Sequence, residues 1–171
     1  MLKDKYASEI AQMLAKYPVK NSAVIPLCYL AQDEYGYLSI DHLQEVADIL
    51  QMPYTDVYEV ATFYTLLYTD PVGKWVLQVC DDNPCCFTGG EELVAELETQ
   101  LGIQAGETTA DKQWTLQRVK CLGGCHGAPM LQANLDFYYG ITPDKVPALL
   151  ETLLQQEQRG TMSISGRFAE R

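Results

Sequence analysis

The stretch Trp75-Val76-Leu77-Gln78-Val79-Cys80, followed at once by Asp81-Asp82-Asn83-Pro84-Cys85-Cys86, decides how this chain is read. Its first half is rich in aromatic and β-branched residues and reads as a short strand. It is set off from what precedes it by Pro71-Val72-Gly73 and runs directly into an acidic loop with two more cysteines. The same arrangement recurs further on. Trp114 to Val119 is a second strand, with Trp114, Leu116 and Arg118 on one face, and it leads into Cys121-Leu122-Gly123-Gly124-Cys125-His126. Between the two strands, Gly89-Gly90 precedes a helix bearing Leu93, Val94, Leu97 and Leu101, and Gly102 fits its C-terminal cap.

Beyond the second loop, Met130 to Ala133 and Phe137 to Tyr139 read as two short strands around an Asn134-Leu135-Asp136 turn. Thr142 as cap and Pro143 at the first position then start a last helix, with Val146, Leu149, Leu150, Leu153 and Leu154 on one side. Strand, helix, strand, hairpin and helix suit a small α/β sandwich of the thioredoxin type. Residues 158–171 are polar and irregular and read as a tail.

The first seventy residues have a different period and read as helical. Leu2 to Tyr17 is one segment with apolar positions at Ile10, Met13, Leu14 and Tyr17, ended by Pro18. Ala23, Leu27, Leu30, Ala31 and Glu34 mark one stripe of a second helix, closed by Gly36. Ser39 caps a third, whose apolar face is Leu43, Val46, Ala47 and Leu50, and Thr55 caps a fourth bearing Val57, Val60, Ala61 and Tyr64. The expected fold class is therefore α+β. A small helical bundle over 1–70 is followed by an α/β domain over 71–157.

A net charge of −11, spread over both halves, repels phosphate backbones and anionic lipid, so nucleic-acid binding is disfavoured. No apolar signal core follows Met1. The most apolar segment, Val57 to Tyr68, is interrupted by Glu59, Thr62 and Thr65 and is too short to span a bilayer. The sequence thus predicts a soluble intracellular protein without direct membrane insertion.

Without a secretion signal, the six cysteines are a poor disulfide framework. Five lie in the two tight clusters, where metal binding or redox work is the better reading. Four thiolates are the usual ligand set of a [2Fe–2S] core. Cys80 with Cys85 would hold one iron, and Cys121 with Cys125 the other. Gly123 and Gly124 let the second segment pass close to the sulfurs and turn its amides inward. Zinc also takes four cysteines, but both loops lie at or near the upper end of its usual ligand spacing. A dithiol oxidoreductase needs C-x-x-C opening a helix, which the chain lacks. Cys86 stays open as a substitute for Cys85, and His126 as a mixed-site ligand or a hydrogen-bonding neighbour. Cys28 reads as a core residue and His42 as a surface one.

The pattern Cys-x4-Cys, 35 residues, Cys-x3-Cys resembles the 24 kDa (E-type) subunits of NADH:quinone oxidoreductase, respiratory complex I. The strings that carry the resemblance include Ala31-Gln32-Asp33-Glu34-Tyr35-Gly36-Tyr37-Leu38, Val57-Tyr58-Glu59-Val60-Ala61-Thr62-Phe63-Tyr64, Cys121-Leu122-Gly123-Gly124-Cys125 and Ala128-Pro129-Met130. It runs from about residue 5 to 155. It implies a thioredoxin-like ferredoxin domain with one [2Fe–2S] cluster on Cys80, Cys85, Cys121 and Cys125, exchanging single electrons with FMN on a partner. That partner is the 51 kDa-type subunit that oxidises NADH, within the peripheral arm of the complex. The implied location is cytoplasmic, peripheral to the inner membrane through the parent complex. Departures from the usual pattern are an acidic first loop at Asp81-Asp82 and Gly124 where alanine is common.

The chain has no G-x-G-x-x-G fingerprint of its own, which puts NADH and FMN on the partner. Equivalent subunits of NAD-linked hydrogenases, formate dehydrogenases and electron-bifurcating complexes share the pattern. A zinc-stabilised interaction module is the reading from a different class. Nine of the eleven tyrosines fall within the first 68 residues, which suits a docking role for the helical part.

Overall fold

The computed structural model describes residues 1–159; the tail read over 158–171 lies, from residue 160 on, outside the described residues. The chain divides into two compact units, Met1–Pro71 and Val72–Arg171. Together they give the mixed helical and sheet class expected, with helices first and a four-stranded sheet after them. Among the described residues, no helix is long and apolar enough to cross a membrane.

The first unit holds helices α1 (Leu2–Lys5), α2 (Ala7–Ala15), α3 (Val24–Tyr35), α4 (Ile40–Leu50) and α5 (Tyr54–Phe63), with a 3₁₀ turn at Lys20–Ala23. Its core is Leu2, Ile10, Leu27, Cys28, Leu30, Leu43, Val46, Leu50, Val57 and their neighbours. The single helix expected over Leu2–Tyr17 is broken at Tyr6, which leaves helical geometry at φ −119° and ψ 26°. Tertiary contacts override the local pattern there. Leu2 is fully buried and its amide donates to the Glu45 carboxylate, while the Tyr6 hydroxyl donates to Glu34 at 2.6 Å.

Gly36 closes α3 in the left-handed region, as expected of a glycine at that place. Ser39 caps α4 in a reciprocal box with His42: the Ser39 Oγ accepts from the His42 amide, and the His42 Nδ1 accepts from the Ser39 amide, both at 3.2 Å. His42 is therefore not the plain surface histidine expected. Its ring stacks on Tyr35 with centroids 4.0 Å apart. Nor does Thr55 cap α5. Pro53 is the residue before the helix, its φ of −57° and ψ of 140° launching it two residues early, and the Thr55 hydroxyl meets Asp56 instead.

The second unit is a sheet of strands β1 (Trp75–Cys80), β2 (Trp114–Val119), β3 (Met130–Ala133) and β4 (Asp136–Tyr139), in the order β2-β1-β3-β4. β1 pairs with β2 in parallel, from Trp75↔Trp114 to Cys80↔Val119, and with β3 antiparallel. Between β1 and β2 lie a one-turn helix, α6 (Asn83–Phe87), and the crossover helix α7 (Gly90–Leu101); α8 (Val146–Gln158) follows the hairpin. Trp75, Leu77 and Val79 of β1 join Leu93 and Leu97 of α7 and Val146, Leu149 and Leu153 of α8 in one core. Thr142 does not cap α8 directly. A 3₁₀ turn, Pro143–Lys145, comes between, and Leu154, expected on the apolar side, is 39% exposed.

Asn134 ties the hairpin to the start of β1. It is buried at 3% exposure with φ +52°, its Oδ1 accepts from the Val76 amide at 2.9 Å, and its Nδ2 donates to the Lys74 carbonyl at 3.1 Å. Asn134→Ala strands both groups and keeps the strained φ. Equilibrium urea unfolding should show a loss of about 2–4 kcal/mol, with Asn134→Gly losing less because glycine relieves the backbone.

Candidate functional site

The cysteine site follows from the sheet. β1 and β2 are parallel neighbours, so their C-terminal ends lie side by side, and both cysteine loops leave the sheet at that edge. Cys80 is the last residue of β1, and Cys121 comes two residues after Val119, the partner of Cys80 in the register. The Asp81 amide donates to the Val119 carbonyl at 3.0 Å and extends the pairing into the loops.

The first loop is more ordered than a plain turn. Asp82 is the N-cap of α6, its carboxylate accepting from the Asn83 amide at 3.1 Å, with Pro84 in the first turn. On a helix, successive side chains diverge by about 100°, so Cys85 and Cys86 point to different surroundings. Cys85 is buried beside Cys80, and it also lies near Cys125 and the backbone of Met130. The Cys86 thiol donates to the Asp81 carbonyl at 3.0 Å and faces Glu91 and Arg118. Cys85 lies beside thiols of both loops, Cys80 and Cys125, whereas Cys86, though within reach of Cys80, is held by the Asp81 carbonyl.

In the second loop, Cys121 and Cys125 are exposed and lie close to each other, and Cys125 also lies near Cys80. The Gly123 amide donates to the Cys121 Sγ at 3.4 Å, with Gly123 at φ +78°. This is the inward-turned amide expected of the glycine pair. The loop rests on the hairpin. A Cβ on Gly124 would collide with the Met130 Sδ, and one on Gly127 would lie 2.8 Å from the Tyr139 Cβ. His126 takes no part among the thiols and packs against the Tyr139 ring, with centroids 5.0 Å apart. Cys28 is fully buried in the first unit's core.

The site is therefore two thiol pairs, Cys80 with Cys85 on the inside and Cys121 with Cys125 on the outside. Among the described residues, no three Cys, His, Asp or Glu side chains close on one point as ligands of a single ion. Met130 is fully buried against Cys80 and Cys85, with Leu122 and Ala128 beside it, and gives the inner pair an apolar floor. Burial, reinforced by the adjoining Cys80 thiol, pushes the Cys85 thiol up to about 11. Desolvation and the adjoining Cys121 raise Cys125. Cys85 is thus a neutral thiol at neutral pH and must give up a proton to become a ligand. Four sulfurs in two pairs, an amide aimed at one of them and an apolar floor suit a two-iron centre in the chemistry of its donors.

Three features of the site carry no signal in the cysteine spacing: α6, the floor residue Met130 and two ion pairs on the flank. Lys120 donates to Asp81 at 2.9 Å, and Arg118 binds Glu91 through both guanidinium nitrogens, one at 2.9 Å. The Asp82-Asn83-Pro84 start signal could have found α6. Parallel pairing of the two strands would have set residue 120 beside residue 81.

The profile of the thioredoxin-like [2Fe–2S] ferredoxin family matches residues 10–154. The second of the E-type subunits of NADH-quinone oxidoreductase in Rhizobium meliloti (strain 1021) is 44% identical over 150 residues, covering 88% of this chain and 89% of that one. The E-type NADH-quinone oxidoreductase subunit of Rickettsia bellii (strain RML369-C) is 40% identical over 154 residues, covering 88% and 92%. Among solved structures, an NAD⁺-reducing [NiFe]-hydrogenase in the air-oxidised state has a similar fold, with a TM-score of 0.65 at 22% identity. The match covers 76% of this chain but only 23% of the hydrogenase chain.

The thiol geometry is open to chemical labelling of the metal-free protein. Brief alkylation followed by mass spectrometry should modify Cys121 and Cys125 first and Cys86 more slowly. Cys28, Cys80 and Cys85 should react only after denaturation.

Proposed function

The chain belongs to the thioredoxin-like [2Fe–2S] ferredoxin family, and from that premise we propose that it is the electron-transferring E-type component of an NADH:quinone oxidoreductase, holding its cluster on Cys80, Cys85, Cys121 and Cys125. The observation that supports the ligand set is the association of these four thiols across two loops at one sheet edge, with the Cys86 thiol donating instead to the Asp81 carbonyl. When bound, the cluster supplies one-electron redox chemistry and needs no general base from the protein.

The chain's own residues do the rest. Cys80 and Cys85 grip from the buried side, where Met130, Leu122 and Ala128 keep water away. Cys121 and Cys125 grip from the exposed side, facing outward where electrons can pass to a neighbour. The Gly123 amide stabilises negative charge on the Cys121 sulfur. With no dinucleotide-binding glycine motif in the chain, NADH and FMN belong to the 51 kDa-type partner, and this component joins the membrane only through the assembled complex.

The helical unit is the docking element in this reading. Its α5 and the residue after it carry Tyr58, Phe63 and Tyr64 exposed, Phe63 at 78%, an aromatic surface of the kind that anchors protein interfaces. Phe63→Glu should weaken co-purification with the flavoprotein partner about tenfold or more, the loss expected when an aromatic anchor is removed, while the purified protein keeps its colour. Unchanged co-purification would rule out this surface.

The ligand assignment is tested by iron and sulfide analysis with low-temperature EPR of the dithionite-reduced protein. Cys85→Ser should lose or grossly alter the two-iron signal, whereas Cys86→Ser should leave it near normal. The reverse pattern would move the ligand by one residue, and zinc in place of iron would overturn the reading.

A further inference from the structure

The acidic first loop has an answer in the second loop. Asp81 directly follows Cys80, and Lys120 directly precedes Cys121. They form an ion pair of 2.9 Å in which the Asp81 side chain is 16% exposed and that of Lys120 83%. Asp82 is spent on capping α6, so Asp81 is the acid of this loop whose charge a cation of the other loop meets. The Asp81 backbone is fixed as well, its amide donating to Val119. One residue back from Val119, Arg118 holds Glu91 of α7, so Asp81 and Glu91 each face a cation from the β2 side.

A carboxylate next to a ligand opposes the arrival of an electron, because reduction adds negative charge beside it. An ammonium at hydrogen-bond distance cancels most of that field. Both groups stand one residue from a ligand, on opposite loops, so the compensation exists only when the loops are together. Resting on the ligand assignment above, we infer that Lys120 is a positioning residue that joins the two cluster loops through Asp81 and holds the reduction potential above the value Asp81 alone would impose.

The test is potentiometric titration of the full-length holoprotein, read by EPR of the reduced cluster, for Lys120→Gln, Asp81→Asn and the double variant. Lys120→Gln should shift the midpoint negative and Asp81→Asn positive. The double variant should return close to the unaltered protein, and Lys120→Arg should retain the original value. A bridge that only braced the loops would be broken equally by either single change, so shifts of the same sign, or none, overturn the inference. If Asp81→Asn fails to load, Lys120→Gln against Lys120→Arg decides the matter: a negative shift in the first alone supports it, and equal potentials overturn it. Absence of a two-iron signal in the unaltered protein would instead overturn the ligand assignment, and this inference with it.

Discussion

Parallel pairing of β1 with β2 is the constraint from which the rest of the second unit follows. Two parallel strands cannot be joined by a tight turn, so the chain must cross back over the sheet, and α7 is that crossover. The crossover separates Cys85 from Cys121 by 35 residues in sequence, and the pairing brings their loops back to one edge. Register matters as much as adjacency. A slip of one residue in β1 would turn Cys80 to the other face of the sheet and set Gln78 against the apolar sides of α7 and α8.

The two loops solve different problems with different backbones. The first uses a helical turn, which separates two adjacent cysteines and leaves Cys85 inside, while Cys86 is held by the Asp81 carbonyl. The second uses a left-handed glycine to bring an amide to sulfur. Beneath them, β3 contributes Met130 to the floor, so the antiparallel edge of the sheet belongs to the site although it offers no ligand. Asn134 anchors that edge from the far end of the hairpin.

Much of this was legible in the residues. β1 and β2 begin and end where the alternation and flanking residues set them, and Gly36, Ser39 and Gly102 cap as their chemistry requires. The failures lie where tertiary contacts outweigh local preference. Tyr6 breaks an otherwise continuous helix because Leu2 is drawn into the core, and Pro53 takes the place assigned to Thr55. His42 looked like a solvated histidine because its capping bond and its stacking on Tyr35 depend on the three-dimensional turn. Within the candidate site, cysteine spacing pointed to two loops that the sheet brings to one edge. The choice between Cys85 and Cys86 depended on α6, and the Asp81–Lys120 pair on strand adjacency, neither of which spacing encodes.

Gly127 has a consequence for how this protein can diverge. A Cβ there would lie 2.8 Å from the Tyr139 Cβ, an atom tied to the backbone of β4. A larger residue at this position would become acceptable only after β4 shifts, so the loop end and that strand are expected to change together among descendants of the same ancestor.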